Sequence, residues 1–308
     1  AEAARLGREA WIIAESDLND PRVIRPVERG GWGLDAQWSD DFHHALHAVL
    51  TRETNGYYAD FGRIEHIARA LTHGFVYGGE YSPFRERRHG QALGEISGHK
   101  LLGYLQNHDQ IGNRARGERI SQLTSEGLLR IGAALVFVSP FVPMLFQGEE
   151  WGASAPFQYF TDHQNPELAE AVRKGRREEF KQFGWDPEQV PDPQAEATLR
   201  RSQLDWSERE RSPHRERLAF YKSLIALRRK TPELLDGRRD AVDVRFDEDK
   251  RWLRVERGPV CLLANFGSNT LELPAPAGRL ELSYPEASPQ RSGSKITLPP
   301  ESCYIYRA

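Results

Sequence analysis

Two carboxylates set the terms for chemistry in this chain. Glu15 closes the apolar run Trp11-Ile12-Ile13-Ala14, and Asp109 lies in Asn107-His108-Asp109-Gln110, directly after the largely apolar stretch from Leu101. Carboxylates placed where buried strands end are the raw material for cleaving a glycosidic bond. One acid protonates the leaving oxygen, and a second carboxylate captures or stabilises the oxocarbenium-like centre. Glu15 is the better acid, because desolvation by the preceding apolar run disfavours its charged form. The plainer reading makes Glu15 a surface residue at a strand end and Asp109 a turn residue that hydrogen-bonds backbone amides. His108 is placed to donate to a sugar hydroxyl or to orient Asp109.

Other polar clusters carry weaker chemistry. Asp40-Asp41-Phe42-His43-His44 offers two acids and two imidazoles. Adjacent histidines do not share a helix face, and His43 and His47, four apart, lack a companion metal motif. No metal is assigned there; the stretch reads as the start of an amphipathic helix, with hydrogen bonding to a substrate as its chemical use. Glu149-Glu150 reads as a cap for the next helix or as lining for the same face. Arg85, Arg87 and Arg88 read as a solvated loop face, or as a clamp on acidic neighbours. GGWG and GGEY lack dinucleotide spacing, no phosphate loop is present, and no cofactor is assigned.

The elements that must hold these groups alternate. Strands are expected near 11–14, 34–38, 101–106 and 143–146. Helices are expected over Ser39–Glu53, Asp60–His73 and Thr124–Val138 from apolar spacing at three and four residues. Helical character over Ala1–Glu9 precedes the first strand, so the chain reads as entering a fold midway. Strand–helix alternation predicts βαβ units and a parallel sheet, with ligands at the carboxyl ends of its strands. Gly74–Leu93 reads as a long functional loop. A polar, Pro-rich stretch from Trp151 to Trp206 contains one charged helix near Glu167–Phe183, and an amphipathic helix covers Pro213–Lys230. Beyond Leu235–Arg239 the pattern changes to short alternating strands: VDVRF, RWLRVER, VCLLANF, TLELP, LELSY, SKITL and Tyr304–Tyr306. That texture predicts a small antiparallel sandwich, so residues 1–236 and 237–308 form two domains.

Bulk properties exclude several classes. The chain has 308 residues, with 42 basic and 45 acidic side chains and a formal net charge of -3. This balance leaves no electrostatic footprint for nucleic acid or an anionic membrane. No run approaches the length of a membrane span, and AEAARLGREAW is not a signal peptide. Only Cys261 and Cys303 are present, so a reducing, cytoplasmic location is the default. The two thiols could pair only if neighbouring strands bring them together.

Ala14-Glu15-Ser16-Asp17 after a strand, and Asn107-His108-Asp109-Gln110 after another, resemble the general-acid and later His-Asp regions of the α-amylase family of glycoside hydrolases. The longer strings AESDLNDPRV, DAQWSDDFHHALHAVLT, GEYSPFRERRHG, LQNHDQIGNRARGERI and PMLFQGEEWG resemble its trehalose-releasing branch over nearly the whole chain. The resemblance implies the second half of a (β/α)8 TIM barrel followed by a C-terminal β-sandwich. It also implies hydrolysis of the α-1,4 bond next to the terminal trehalose unit of a maltooligosyl-trehalose. Glu15 then matches the proton donor, Asp109 the transition-state stabiliser, and His108 a sugar-binding residue where the bond breaks. Asp40, Asp41, Phe42, His43 and His44, with Gln110, Ile111, Gly112 and Asn113, would contact substrate. Tyr81 and Phe84 would shape the trehalose-accepting end. The family's nucleophilic Asp stands in a Gly-Phe-Arg-x-Asp motif on the strand before the acid. This sequence has no such motif, so the missing N-terminal half of the same enzyme is the expected partner. A branching transglycosylase of the same family and a non-catalytic glucan-binding fragment are the alternatives.

Overall fold

The computed structural model describes residues 5–182, 190–286 and 289–308. Four short strands form a parallel sheet: β1 (Ile13–Ala14), β2 (Ala36–Trp38), β5 (Leu101–Gly103) and β6 (Val142–Pro143), in that spatial order. Ala14 pairs with Gln37, Trp38 with Leu102, and Gly103 with Pro143. An antiparallel hairpin of β3 (Tyr81–Ser82) and β4 (Arg87–Arg88) sits within the stretch expected to be an irregular loop. Asp60 staples it, accepting from Ser82 Oγ and from the Phe84 amide.

Helices cover the sheet where the apolar spacing placed them. α1 (Asp40–Thr51) and α2 (Ile64–His73) follow β2; α3 (His108–Gly112) and α4 (Ile120–Leu123) follow β5; and α5 (Glu126–Val138) leads into β6. Leu46, Val49, Ile64, Ile67, Leu71, Leu101, Leu105, Ile131 and Leu135 meet in one core. Each such side chain contributes about 1.5–3 kcal/mol when fully buried. Ser125 caps α5, its Oγ accepting from the Leu128 amide at 3.2 Å.

Both outer strands depart from expectation. Trp11–Ala14 should be a buried strand, yet only Ile13–Ala14 pair, and Trp11 and Ile12 are 72% and 65% exposed. The strand expected at 143–146 is confined to Val142–Pro143, with Val142 exposed. The physical reason is the same at both ends: among the described residues β1 and β6 each have a strand partner on one side only, so their outer edges and apolar residues meet no second strand.

The charged helix is α6 (Pro166–Gln182); Phe183, its expected end, lies outside the described residues. The helical character expected over Ala1–Glu9 falls partly on residues 1–4, also outside them, and Arg8 and Glu9 are irregular. α7 (Glu196–Arg201) and α8 (His214–Lys230) follow. No helix among the described residues is long and apolar enough to cross a membrane.

The C-terminal strands are antiparallel. β7 (Val242–Asp247), β8 (Trp252–Arg257), β9 (Val260–Asn265), β11 (Arg279–Tyr284) and β14 (Ser302–Arg307) build a five-stranded sheet in the order β11-β14-β9-β8-β7. β10 (Leu271–Pro274), β12 (Arg291–Ser292) and β13 (Lys295–Leu298) build a second sheet. Leu263, Tyr304 and Tyr306 from the first meet Leu273, Ile296 and Leu298 from the second in one apolar cluster. Cys261 and Cys303 lie on neighbouring strands but are free. Cys303 pairs with Ala264, three positions from Cys261, so alternation puts the thiols on opposite faces of the sheet.

Candidate active site

Glu15, Asp109 and the head of α1 converge because their strands are parallel and end on one side. Glu15 follows β1, Asp40 follows β2, and Asn107 to Gln110 follow the chain that continues β5. Glu15, Asp40, Asn107, Asp109 and Gln110, with Ser16, Asp17, Trp38, His44, Tyr57 and Arg85, line a cleft of about 270 Å³.

The segment that presents Asp109 is locally determined. Asn107 caps α3, its Oδ1 accepting from the amides of Asp109 at 2.8 Å and Gln110 at 3.3 Å. Gln110 Oε1 answers by accepting from the Asn107 amide at 2.9 Å, a reciprocal cap that satisfies three otherwise orphaned donors. Asp109 therefore stands in the first turn of a helix, where a negative charge is favoured. The Asn113 amide donates to Asp109 Oδ1 at 2.8 Å. His108 does not orient Asp109. Its Nε2 lies 3.8 Å from Glu15 Oε1, and its ring meets the edge of Trp38.

Glu15 is not desolvated as its apolar neighbours suggested. Its side chain is 55% exposed, because Trp11 to Ile13 run along the open edge of β1 and cover nothing. The buried carboxylate of the cleft is Asp40. Burial pushes its carboxyl up to about 6, against the hydrogen bond donated by Tyr104 and with repulsion from Asp17, Asp109 and Glu15. Asp41 is also raised to about 6 by burial, but it points away from the cleft. Its Oδ2 accepts from Val76 N at 2.7 Å, Tyr77 N at 2.8 Å and Asn19 Nδ2 at 2.8 Å. It ties the loop after Glu15 to the loop before the hairpin.

Of the remaining expected contacts, His44 reaches the cleft and stacks on Tyr57 with ring centroids 5.0 Å apart. Burial drives its imidazole down to about 3, so it faces the cleft uncharged. Phe42 and His43 do not reach it. Phe42 packs on Phe141 beneath the sheet, and His43 is fully buried between Tyr104 and Tyr58. Helix α1 is buried all round from Asp41 to Leu50, so most of its side chains meet protein rather than the cleft. Ile111 and Gly112 are likewise buried within α3. Asn113 does not line the cleft but contacts Asp109 through its side-chain amide hydrogen bond. Tyr81 and Phe84 are exposed on the hairpin and are not among the cleft-lining residues.

Glu149 and Glu150 neither cap a following long helix nor line the cleft. They start a single 3-10 turn, Glu149–Trp151, between Gly148 and Gly152, both in the left-handed region. Glu149 is buried, accepts from the Tyr221 hydroxyl of α8 at 3.1 Å, and is pushed up to about 8 by burial. Arg85 takes the clamping role, donating to Asp17 Oδ2 at 2.8 Å, whereas Arg87 and Arg88 are exposed. Among the described residues, no group of three His, Cys, Asp or Glu is arranged to hold a metal ion.

Sequence reading missed Trp38, Tyr57, Ser16, Asp17 and Arg85 as cleft residues. Tyr57 carried a usable signal, an aromatic pair after the turn Asn55-Gly56. Ser16, Asp17 and Trp38 are sequence neighbours of Glu15 and Asp40, whereas Arg85 reaches the cleft only by packing against Asp17, 68 positions away.

Comparison with known proteins decides the lineage of this arrangement. A malto-oligosyltrehalose trehalohydrolase of Rhizobium sp. (strain M-11) is 46% identical over 98% of this chain and 51% of its own length. The chain is a relative of the malto-oligosyltrehalose trehalohydrolases. The trehalohydrolase of Arthrobacter ramosus is 48% identical over 96% of this chain and 51% of its own length. The chain thus spans about half the length of the curated relatives it matches. A crystal structure of an alpha amylase candidate from Salmonella typhimurium is 33% identical, with a TM-score of 0.83 over 98% of this chain and 51% of that one. Residues 237–305 match the family described as Domain of unknown function (DUF3459).

Proposed function

We propose that the chain forms the acid-and-stabiliser part of a retaining glycoside hydrolase that releases trehalose from maltooligosyl-trehalose. The observation that carries this is the single cleft lined by Glu15 and Asp109 at the carboxyl ends of parallel strands. Glu15 protonates the leaving oxygen of the α-1,4 bond. Asp109, fixed at the head of α3, faces the developing oxocarbenium charge. Trp38, Tyr57 and neutral His44 supply flat surfaces for sugar rings, and His108 stands beside Glu15 to bind a hydroxyl.

A retaining mechanism also needs a nucleophile about 5–5.5 Å from the acid. Asp17 and Asp40 are poor candidates. Asp17 is paired with Arg85 and sits on the same segment as Glu15, and Asp40 is held by Tyr104 with its charge disfavoured. In this reading the nucleophile comes from sequence beyond these 308 residues. The open edges of β1 and β6 are where the rest of a (β/α)8 barrel would pair, with residues 1–236 as its second half. Residues 237–308 form an all-β sandwich against it. The relatives' names and their doubled length support both points.

The test is a product analysis. The chain is assayed on maltotriosyl-trehalose alone and with the complementary N-terminal half supplied. Free trehalose only in the second case is expected. New branch points would favour a transglycosylase, and full activity of the chain alone would refute the external nucleophile.

A further inference from the structure

No described residue between Trp151 and Trp206 lines the cleft, yet one of these side chains reaches the carboxylate there through an intermediary. Arg176, on α6, donates from Nη1 to Asn113 Oδ1 at 2.9 Å and from Nη2 to the Gly112 carbonyl at 2.6 Å. Its guanidinium lies over the Tyr159 ring, 4.6 Å from the centroid. An asparagine side chain has two ends, and either can face a neighbour. A guanidinium has donors only, so Asn113 must present its oxygen to Arg176. The amide nitrogen is thereby turned to Asp109, where it donates to Oδ1. In the opposite sense, donor would face donor and two oxygens would meet at Asp109.

We propose that Arg176 is a positioning residue for Asp109: it fixes the sense of the Asn113 amide and so sets the orientation of the carboxylate from outside the cleft. The fork also grips the peptide at Gly112, and α6 is the element that brings it there. On the other side of the same turn Arg114 holds Glu53 with two hydrogen bonds, at 2.9 and 3.0 Å. Asp109 therefore sits on a turn clamped from both flanks. The inference rests on Asp109 acting as the stabilising carboxylate, but the geometry of the relay does not depend on it.

A double-mutant cycle in the assembled enzyme tests the relay. Arg176→Ala and Asn113→Ala should each lower kcat on maltotriosyl-trehalose by about tenfold, with KM within about twofold. The double variant should fall no further than the worse single one, because both act through one contact. Arg176→Lys, with one donor in place of the fork, should recover part of the loss. Losses that multiply in the double variant, or a rise in KM with kcat unchanged, would overturn the proposal. Amide hydrogen exchange over residues 108–113 gives a readout that needs no activity. Faster exchange there in Arg176→Ala, at an unchanged melting temperature, is expected, and unchanged exchange would overturn the relay. An inactive wild-type enzyme that still shows the exchange effect would sink the hydrolase reading alone.

Discussion

Around the cleft, Glu15, Asp17, Asp40 and Asp109 gather at the ends of parallel strands. At the joint between α5 and the C-terminal sheets, two cations are buried instead. Arg228 of α8 donates to the carbonyls of Phe137, Ser139 and Phe141, and Arg257 of β8 donates to Val138, Ser139, Glu233 and Asp236. Burial pulls both guanidiniums down to about 10, Arg228 being lowered further by the charge of Arg257. The carbonyls at the end of α5 repay that cost, since a helix C-terminus favours positive charge. The joint is thus held by backbone carbonyls that accept from both guanidiniums, with Arg257 Nε buried and unpartnered. In the cleft, by contrast, Asp40 has like charges nearby and Glu15 stands half in solvent. Charge at the joint is neutralised largely by backbone, whereas at the cleft like charges gather with only Asp17 paired to a cation, Arg85, among the described residues.

The comparison breaks most visibly at the joint. Arg257→Leu should lower unfolding free energy by about 2–4 kcal/mol, because several buried carbonyls lose their donor at once. Denaturant unfolding measures this, and a change below about 0.5 kcal/mol would show that the buried guanidinium does not hold the joint.

A smaller effect is expected between the two regions, at Glu149. This carboxyl ionises in the usual range when unfolded but only near about 8 in the fold. The folded state therefore holds the proton more tightly, and stability is lost as pH climbs from the usual carboxylate range to about 8. Asp40 and Asp41 act in the same sense, so the variant must be compared with wild type at each pH. Relative to wild type, Glu149→Gln should gain more than about 2 °C in melting temperature between pH 5 and pH 8. A pH-independent difference would mean that Glu149 is charged in the fold.

Much of this division was legible in the sequence. The apolar run from Leu101 marked a buried strand whose continuation reaches the candidate cleft, and α1, α2 and α5 followed their apolar spacing. The C-terminal strands were readable from alternation and turn residues. The errors have one origin. Periodicity reports which residues prefer burial, not whether a partner is present to bury them. Trp11 to Ile13 were read as interior, yet β1 is an edge strand, and the desolvation expected for Glu15 went with it. Phe42 and His43 shared a motif with Asp40 and His44, but helical geometry turned them into the core. Glu149 looked like a cap, and only the approach of Tyr221, 72 residues later, shows it as a buried carboxyl. Arg85 was readable as a clamp on acidic neighbours, but the acid it clamps, Asp17, lies 68 positions away, and the partner of Arg176 lies 63 positions away.

The central claim is that Glu15 delivers the proton. The direct measurement is turnover of maltotriosyl-trehalose by the assembled enzyme carrying Glu15→Gln, which keeps the shape of the side chain and removes its acid. The account predicts a fall in kcat of about 10²–10⁴-fold with the cleft still binding substrate. Turnover within a few-fold of wild type would contradict it.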